Sequence, residues 1–148
     1  MRWFRNTVSV VAALVALGTT LTGCGDSGSP STAPKAQATV HDLYREFLVQ
    51  LDNRSASGVC ALFTEDGRAA FIENWDATTC EGAVDRAAER FGDLQNLIDK
   101  AADKKITESD GFAKFGADSC SPGRLSAKQT ENGWLIYNYS FRGGGCLA

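Results

Sequence analysis

The longest apolar run in this chain, Val8 to Leu17 (VSVVAALVAL), is ten residues long and sits behind Arg2 and Arg5. As a helix it rises about 15 Å, roughly half of a ~30 Å hydrocarbon core, so it is too short to span a membrane. Positive charge, a short apolar stretch and then small residues are the pattern of an export signal that is removed. Residues 1–23 therefore leave the folding problem, and the remaining chain must fold where thiols oxidise.

The signal ends at Leu21-Thr22-Gly23-Cys24, which resembles the lipobox of bacterial lipoproteins: aliphatic, small, small, cysteine. The resemblance implies a diacylglyceryl thioether on Cys24 and cleavage after Gly23. The bilayer is then the chain's first partner and the cell membrane, on its extracytoplasmic face, its location. Two acyl chains hold a protein on a bilayer where one does not. Residues 24–37 continue as GDSGSPSTAPKAQ after the cysteine, without a large apolar side chain. Such a segment cannot bury enough surface to offset ordering and is expected to act as a flexible tether about 20 Å long. A single domain is expected over residues 38–148.

With Cys24 lipidated, Cys60, Cys80, Cys120 and Cys146 remain, and four cysteines allow three pairings. No Cys-x-x-Cys spacing offers a zinc site, and one histidine leaves little for a His-based centre. Eighteen acids against 15 Lys and Arg argue against nucleic acid, whose phosphates need clustered cations. No cofactor motif is present: Gly143-Gly144-Gly145 follows a strand pattern but opens no helix.

Residues 39–53 place Val40, Leu43, Tyr44, Phe47, Leu48 and Leu51 on one helical stripe, with Thr39 as N-cap. A short helix is expected around Val59 to Phe63, a third capped by Thr64, and a fourth running unbroken from Gly82 to Asp99. Beyond Lys104 the period changes. Lys105–Glu108 and Phe112–Phe115 read as short strands, and Leu125–Thr130 with Trp134–Phe141 as a clear hairpin. Asn132-Gly133 is the preferred type I′ pair, since both positions need positive φ. That turn would set Glu131 opposite Trp134 and Cys120 opposite Gly145, so Cys120–Cys146 would tie the hairpin's open end and leave Cys60 to Cys80.

Helices followed by an antiparallel sheet make an α+β domain. Through Leu43–Asp52, Val59–Phe71, Thr79–Ala83 and Asn132–Tyr139 the chain resembles small actinobacterial lipoproteins with a nuclear-transport-factor-2-like, or cystatin-like, cone. That resemblance implies N-terminal helices packed on a C-terminal sheet and a fold that hosts isomerases and cyclases beside many binding proteins. Tyr44, Trp75, Trp134, Tyr137 and Tyr139 are the residues expected at any pocket, with Asp42 and His41 as further polar candidates. Asp99–Lys105 reads as a solvated helix end. No catalytic set emerges. A non-enzymatic binding or interaction module, taking a protein or a small apolar ligand, is the expected function. The alternatives are a structural envelope protein and a small pocket enzyme of isomerase or cyclase type.

Overall fold

The computed structural model describes residues 33–115 and 121–142. Five helices precede four strands: α1 (Val40–Asp52), α2 (Ala56–Cys60), α3 (Glu65–Asn74), α4 (Cys80–Phe91), α5 (Gln95–Asp99), then β1 (Ile106–Ser109), β2 (Phe112–Phe115), β3 (Arg124–Thr130) and β4 (Gly133–Ser140). A 3₁₀ turn at Ala101–Asp103 joins α5 to β1. The strands form one antiparallel sheet in the order β1-β2-β3-β4. The protein is thus α+β, with its helices N-terminal to the sheet.

Four helices begin on a hydroxyl. Thr39, Ser55, Thr64 and Thr79 each accept a hydrogen bond from the backbone N–H three residues on, satisfying one of the donors that a helix start leaves open. At α1 the cap is reciprocal, because Thr39 Oγ1 also donates to the Asp42 carboxylate at 2.7 Å. The apolar stripe of α1 is buried as expected, with Leu43, Phe47, Leu48 and Leu51 fully inaccessible.

The helix expected from Gly82 to Asp99 is two helices. It starts at Cys80, ends at Phe91 and turns at Gly92, whose φ is 61°. Only glycine takes such a conformation without strain. Past the break, Asp52 Oδ1 at the end of α1 accepts from the Leu94 N–H at 2.9 Å and Asp93 Oδ1 accepts from the Gln95 N–H at 2.8 Å. These bonds redirect α5 onto α1.

The hairpins also depart from expectation. The β3–β4 turn is Glu131-Asn132, with Thr130 opposite Gly133 and Gln129 opposite Trp134, and the register shifts between Ser126 and Ala127. Neither turn residue has positive φ; Gly133 does, at 120°. There a Cβ would lie 2.4 Å from the Gln37 carbonyl oxygen, so this glycine serves close approach of the incoming chain. The type I′ pattern falls instead on Asp110-Gly111 between β1 and β2, with φ of 52° and 76°.

Strand β4 is bonded on both sides. Beyond β3, its far edge meets Gln37, which exchanges two backbone bonds with Trp134 at 2.7 and 3.0 Å. Ile136 then donates to Leu62 O at 2.9 Å and accepts from the Thr64 N–H at 2.8 Å. Further along, Asn74 Nδ2 donates to Tyr139 O and Asn74 Oδ1 accepts from the Phe141 N–H. Residues 35–37, expected within the tether, are therefore held against the domain, because the edge amides of β4 need partners.

Cross-strand partners Ala113, Ala127 and Ile136 are fully buried on the inner face. Above it Phe47, Phe63, Phe71 and Tyr139 pack as one aromatic cluster, with centroids 4.8 to 6.5 Å apart. Trp75, Phe91 and Phe141 form a second, half-buried cluster at 5.0 to 5.6 Å.

Cys60 and Cys80 form a disulfide that joins α2 to α4 across 20 residues of chain. Residues 1–32, with Cys24, and Cys120 and Cys146, with the bridge expected between them, lie outside the described residues. Closing a loop of this length stabilises a fold by about 3 kcal/mol in the chain-entropy account. Replacing Cys60 and Cys80 together by serine is expected to lower the unfolding free energy by about that amount in urea titrations. A loss below about 1 kcal/mol would contradict it.

Candidate functional site

An open groove of about 600 Å³ lies where β1 begins and β2 ends, lined by Tyr44, Leu97, Lys100, Asp103, Lys104, Lys105, Thr107, Lys114 and Phe115. Three elements assemble it. The inner stripe of α1 supplies Tyr44, α5 and its connection to β1 supply Leu97 and the residues from Lys100 to Lys105, and antiparallel pairing brings Lys114 opposite Thr107. Its volume lies within the range of about 300–1,000 Å³ typical of small-molecule sites.

The floor is apolar. Tyr44 and Phe115 stack with centroids 5.3 Å apart and planes 26° from parallel. The rim is cationic: among the described residues that line the groove, four lysines stand with a single aspartate. Lys104 is half-buried, and its Nζ lies 5.7 Å from the centroid of the Tyr44 ring, within reach of a cation–π attraction. His41 fixes the backbone here, since a proton on its Nε2 is donated to the Lys104 carbonyl oxygen 3.2 Å away. A smaller depression of about 330 Å³ shares Lys114 and Phe115 and adds Arg124, Leu125 and Ser126. In a chain whose acids outnumber its bases by 18 to 15, this is a local reversal of charge, and a concave cationic wall concentrates anions.

Of the five aromatic residues expected at a pocket, only Tyr44 lines this groove. Tyr139 is buried in the core; its hydroxyl donates to Pro122 O at 2.6 Å and accepts from Trp75 Nε1 at 3.2 Å. Gly123 makes room for that ring, since a Cβ there would lie 2.7 Å from it. Trp75 belongs to the half-buried cluster with Phe91 and Phe141. Trp134 is buried beside Gln37 at the start of β4. Tyr137 is on the outer face, 5.6 Å from the exposed Phe112. Trp75 and Tyr139 thus meet, while the other three stand apart. Asp42 takes part in the α1 cap.

Three of the lysines belong to Asp99–Lys105, a charged patch whose linear pattern reads as a solvated helix end rather than a docking surface. What linear order does not display is the sheet pairing that brings Lys114 and Phe115 beside them. Among the described residues, no three metal-donor side chains cluster, and no helix is long and apolar enough to cross a membrane. Compared with known protein families, characterised proteins and solved structures, the chain gives no match.

Burial pushes the Tyr139 phenol well above the ordinary tyrosine value, and the bond from Trp75 offsets this only in part. Below about pH 10 the phenol is protonated in folded and unfolded chains alike and adds no pH dependence. Above it the unfolded chain releases the proton and the folded chain keeps it. Stability therefore falls as pH rises, by up to about 1.4 kcal/mol per pH unit from this group. Urea midpoints measured from about pH 9 to about pH 11 are expected to fall more steeply for the native protein than for Tyr139→Phe. Equal slopes would contradict the assignment.

Proposed function

We propose that this protein is a lipid-anchored, extracytoplasmic binding module that works without catalysis, with a domain of nuclear-transport-factor-2-like plan. Leu21-Thr22-Gly23-Cys24 behind an export-type apolar run supports the anchor. Helices packed on one face of a four-stranded antiparallel sheet support the domain plan.

The groove is the observation that carries the binding function. Its apolar floor and cationic rim are what a site needs to hold and orient a ligand, with apolar surface for affinity and a few polar groups for direction. The Tyr139 hydroxyl, bonded to Pro122 and Trp75 in the core, is occupied in holding the fold.

Cells fed labelled palmitate are expected to label the chain, and Cys24→Ala is expected to abolish that label. Persistent label in the variant would overturn the anchor. A catalytic turnover lost on substitution of Tyr44, Tyr137 or Asp42 would overturn the non-enzymatic function.

A further inference from the structure

We infer that the outer face of the sheet docks on an anionic bilayer, with Lys105, Lys114, Arg124 and Lys128 against lipid phosphates and Phe112 in the interface. The reach of this contact rests on the proposed anchor at Cys24; its chemistry rests on the sheet alone.

Strand alternation separates two faces. Ala113, Phe115, Leu125 and Ala127 point into the core, so Phe112, Lys114, Arg124, Ser126 and Lys128 point the other way. Lys105, just before the core-packed Ile106, continues the same alternation. Register gathers these side chains: Phe112 lies opposite Lys128, and Lys114 lies between Thr107 and Ser126. Phe112 is 48% exposed and meets Tyr137 at 5.6 Å. Lys105, Lys114 and Arg124 are exposed, and among the described residues none of the four cations stands in an ion pair.

Charge and shape select the partner. Among the described strand residues that point outward there is no acid: Glu108 lies opposite the buried Ala113, and Asp110 and Glu131 sit in the two turns. Residues 39–103, which form the helices, carry 13 acids against six Lys and Arg. An anionic surface therefore attracts one side of the domain and repels the other. The cations are spread over three strands, with a shallow depression of about 330 Å³ where Lys114, Arg124 and Ser126 meet. Such a spread suits an extended surface, and the depression suits one phosphate held by charge-assisted hydrogen bonds. Aromatic rings set among cations favour the headgroup region, where apolar and charged groups are both satisfied.

Reach favours the bilayer over an acidic protein. Gln37 is held beside β4, so β2 lies three strand spacings, about 14 Å, across the sheet from it. The chain from Cys24 to Lys35 extends at most about 40 Å. The acylated end can thus enter the bilayer that the face touches, and tethering raises the local concentration of that face. An acidic protein would meet the same charges without this advantage.

The test uses the chain as the cell processes it, in phosphatidylcholine or phosphatidylglycerol nanodiscs that carry a gadolinium-headgroup lipid, with loss of amide signal as readout. In phosphatidylglycerol discs the Phe112, Lys114, Ser126 and Lys128 amides are expected to lose intensity, while those of Val84 and Ala87 in α4 keep it. High salt or phosphatidylcholine is expected to remove the difference. Lys114→Glu with Arg124→Glu, both exposed positions, is expected to lower the ratio of docked to undocked domain at least about tenfold. Lys114→Arg with Arg124→Lys is expected to preserve it.

Equal signal loss in the two lipids, loss spread over α4, or indifference to charge reversal would overturn docking by this face. A polyglutamate peptide that shifts these amides when phosphatidylglycerol leaves them unmoved would overturn it in favour of an acidic protein. Shifts that grow with protein concentration in phosphatidylcholine discs would overturn it in favour of a second copy of the chain. A chain that leaves phosphatidylcholine discs yet binds phosphatidylglycerol discs through these amides would contradict the anchor and leave the docking face standing.

Discussion

Strand β4 has no free side along most of its length, and the rest of the domain is arranged around that fact. A last strand ordinarily leaves a row of unpaired amides, which costs stability when they are buried and invites pairing with other chains when they are exposed. Here three separate pieces of chain take that row. Gln37 bonds Trp134, the Leu62–Thr64 segment brackets Ile136, and the Asn74 side chain reaches Tyr139 and Phe141. Helix α3 can lie this close because Gly67 has no side chain: a Cβ there would meet the Ile136 carbonyl oxygen at 2.3 Å. Packing on that side then gathers Phe47, Phe63, Phe71 and Tyr139 into the core.

Closure at β4 sets where the opening falls. The helices that seal one side of the sheet do not line the groove, and α1 contributes one residue to it, Tyr44. The opposite side is built from short pieces: a five-residue helix, a 3₁₀ turn and two four-residue strands. Short elements bring many side chains to one place without covering them, so lysines from the connection and from β2 line one groove with Tyr44 and Phe115.

Local signals in the sequence announced the parts whose physics is local. Thr39 and Thr64 stand before helical apolar stripes, and both are caps in the structure. Cys60 and Cys80 pair as expected. The failures are equally physical. Val84 to Ile98 keep a helical period through Gly92, and a tertiary bond from Asp52 to Leu94 helps to decide that the chain turns there. Asn132-Gly133 carries the hairpin signature, yet Gly133 is needed one place later, where the Gln37 carbonyl presses on the backbone. Asp110-Gly111 carries the same signature and fulfils it. For the site, Tyr44 was legible as an aromatic residue near polar neighbours. The lysine rim was legible only in part: Asp99–Lys105 shows as a charged stretch, but Lys114 and Phe115 join it only after β2 has paired with β1.

Native-state hydrogen exchange at Trp134 and Ile136 tests the central constraint most directly. Both amides point away from β3 and donate to Gln37 and Leu62. If this edge is sealed as described, both exchange only when the whole domain unfolds, with protection equal to the global stability and to that of the amides bonded to β3. Exchange through local opening, with free energies far below the global value, would mean that the edge is free and that the domain is not organised around it.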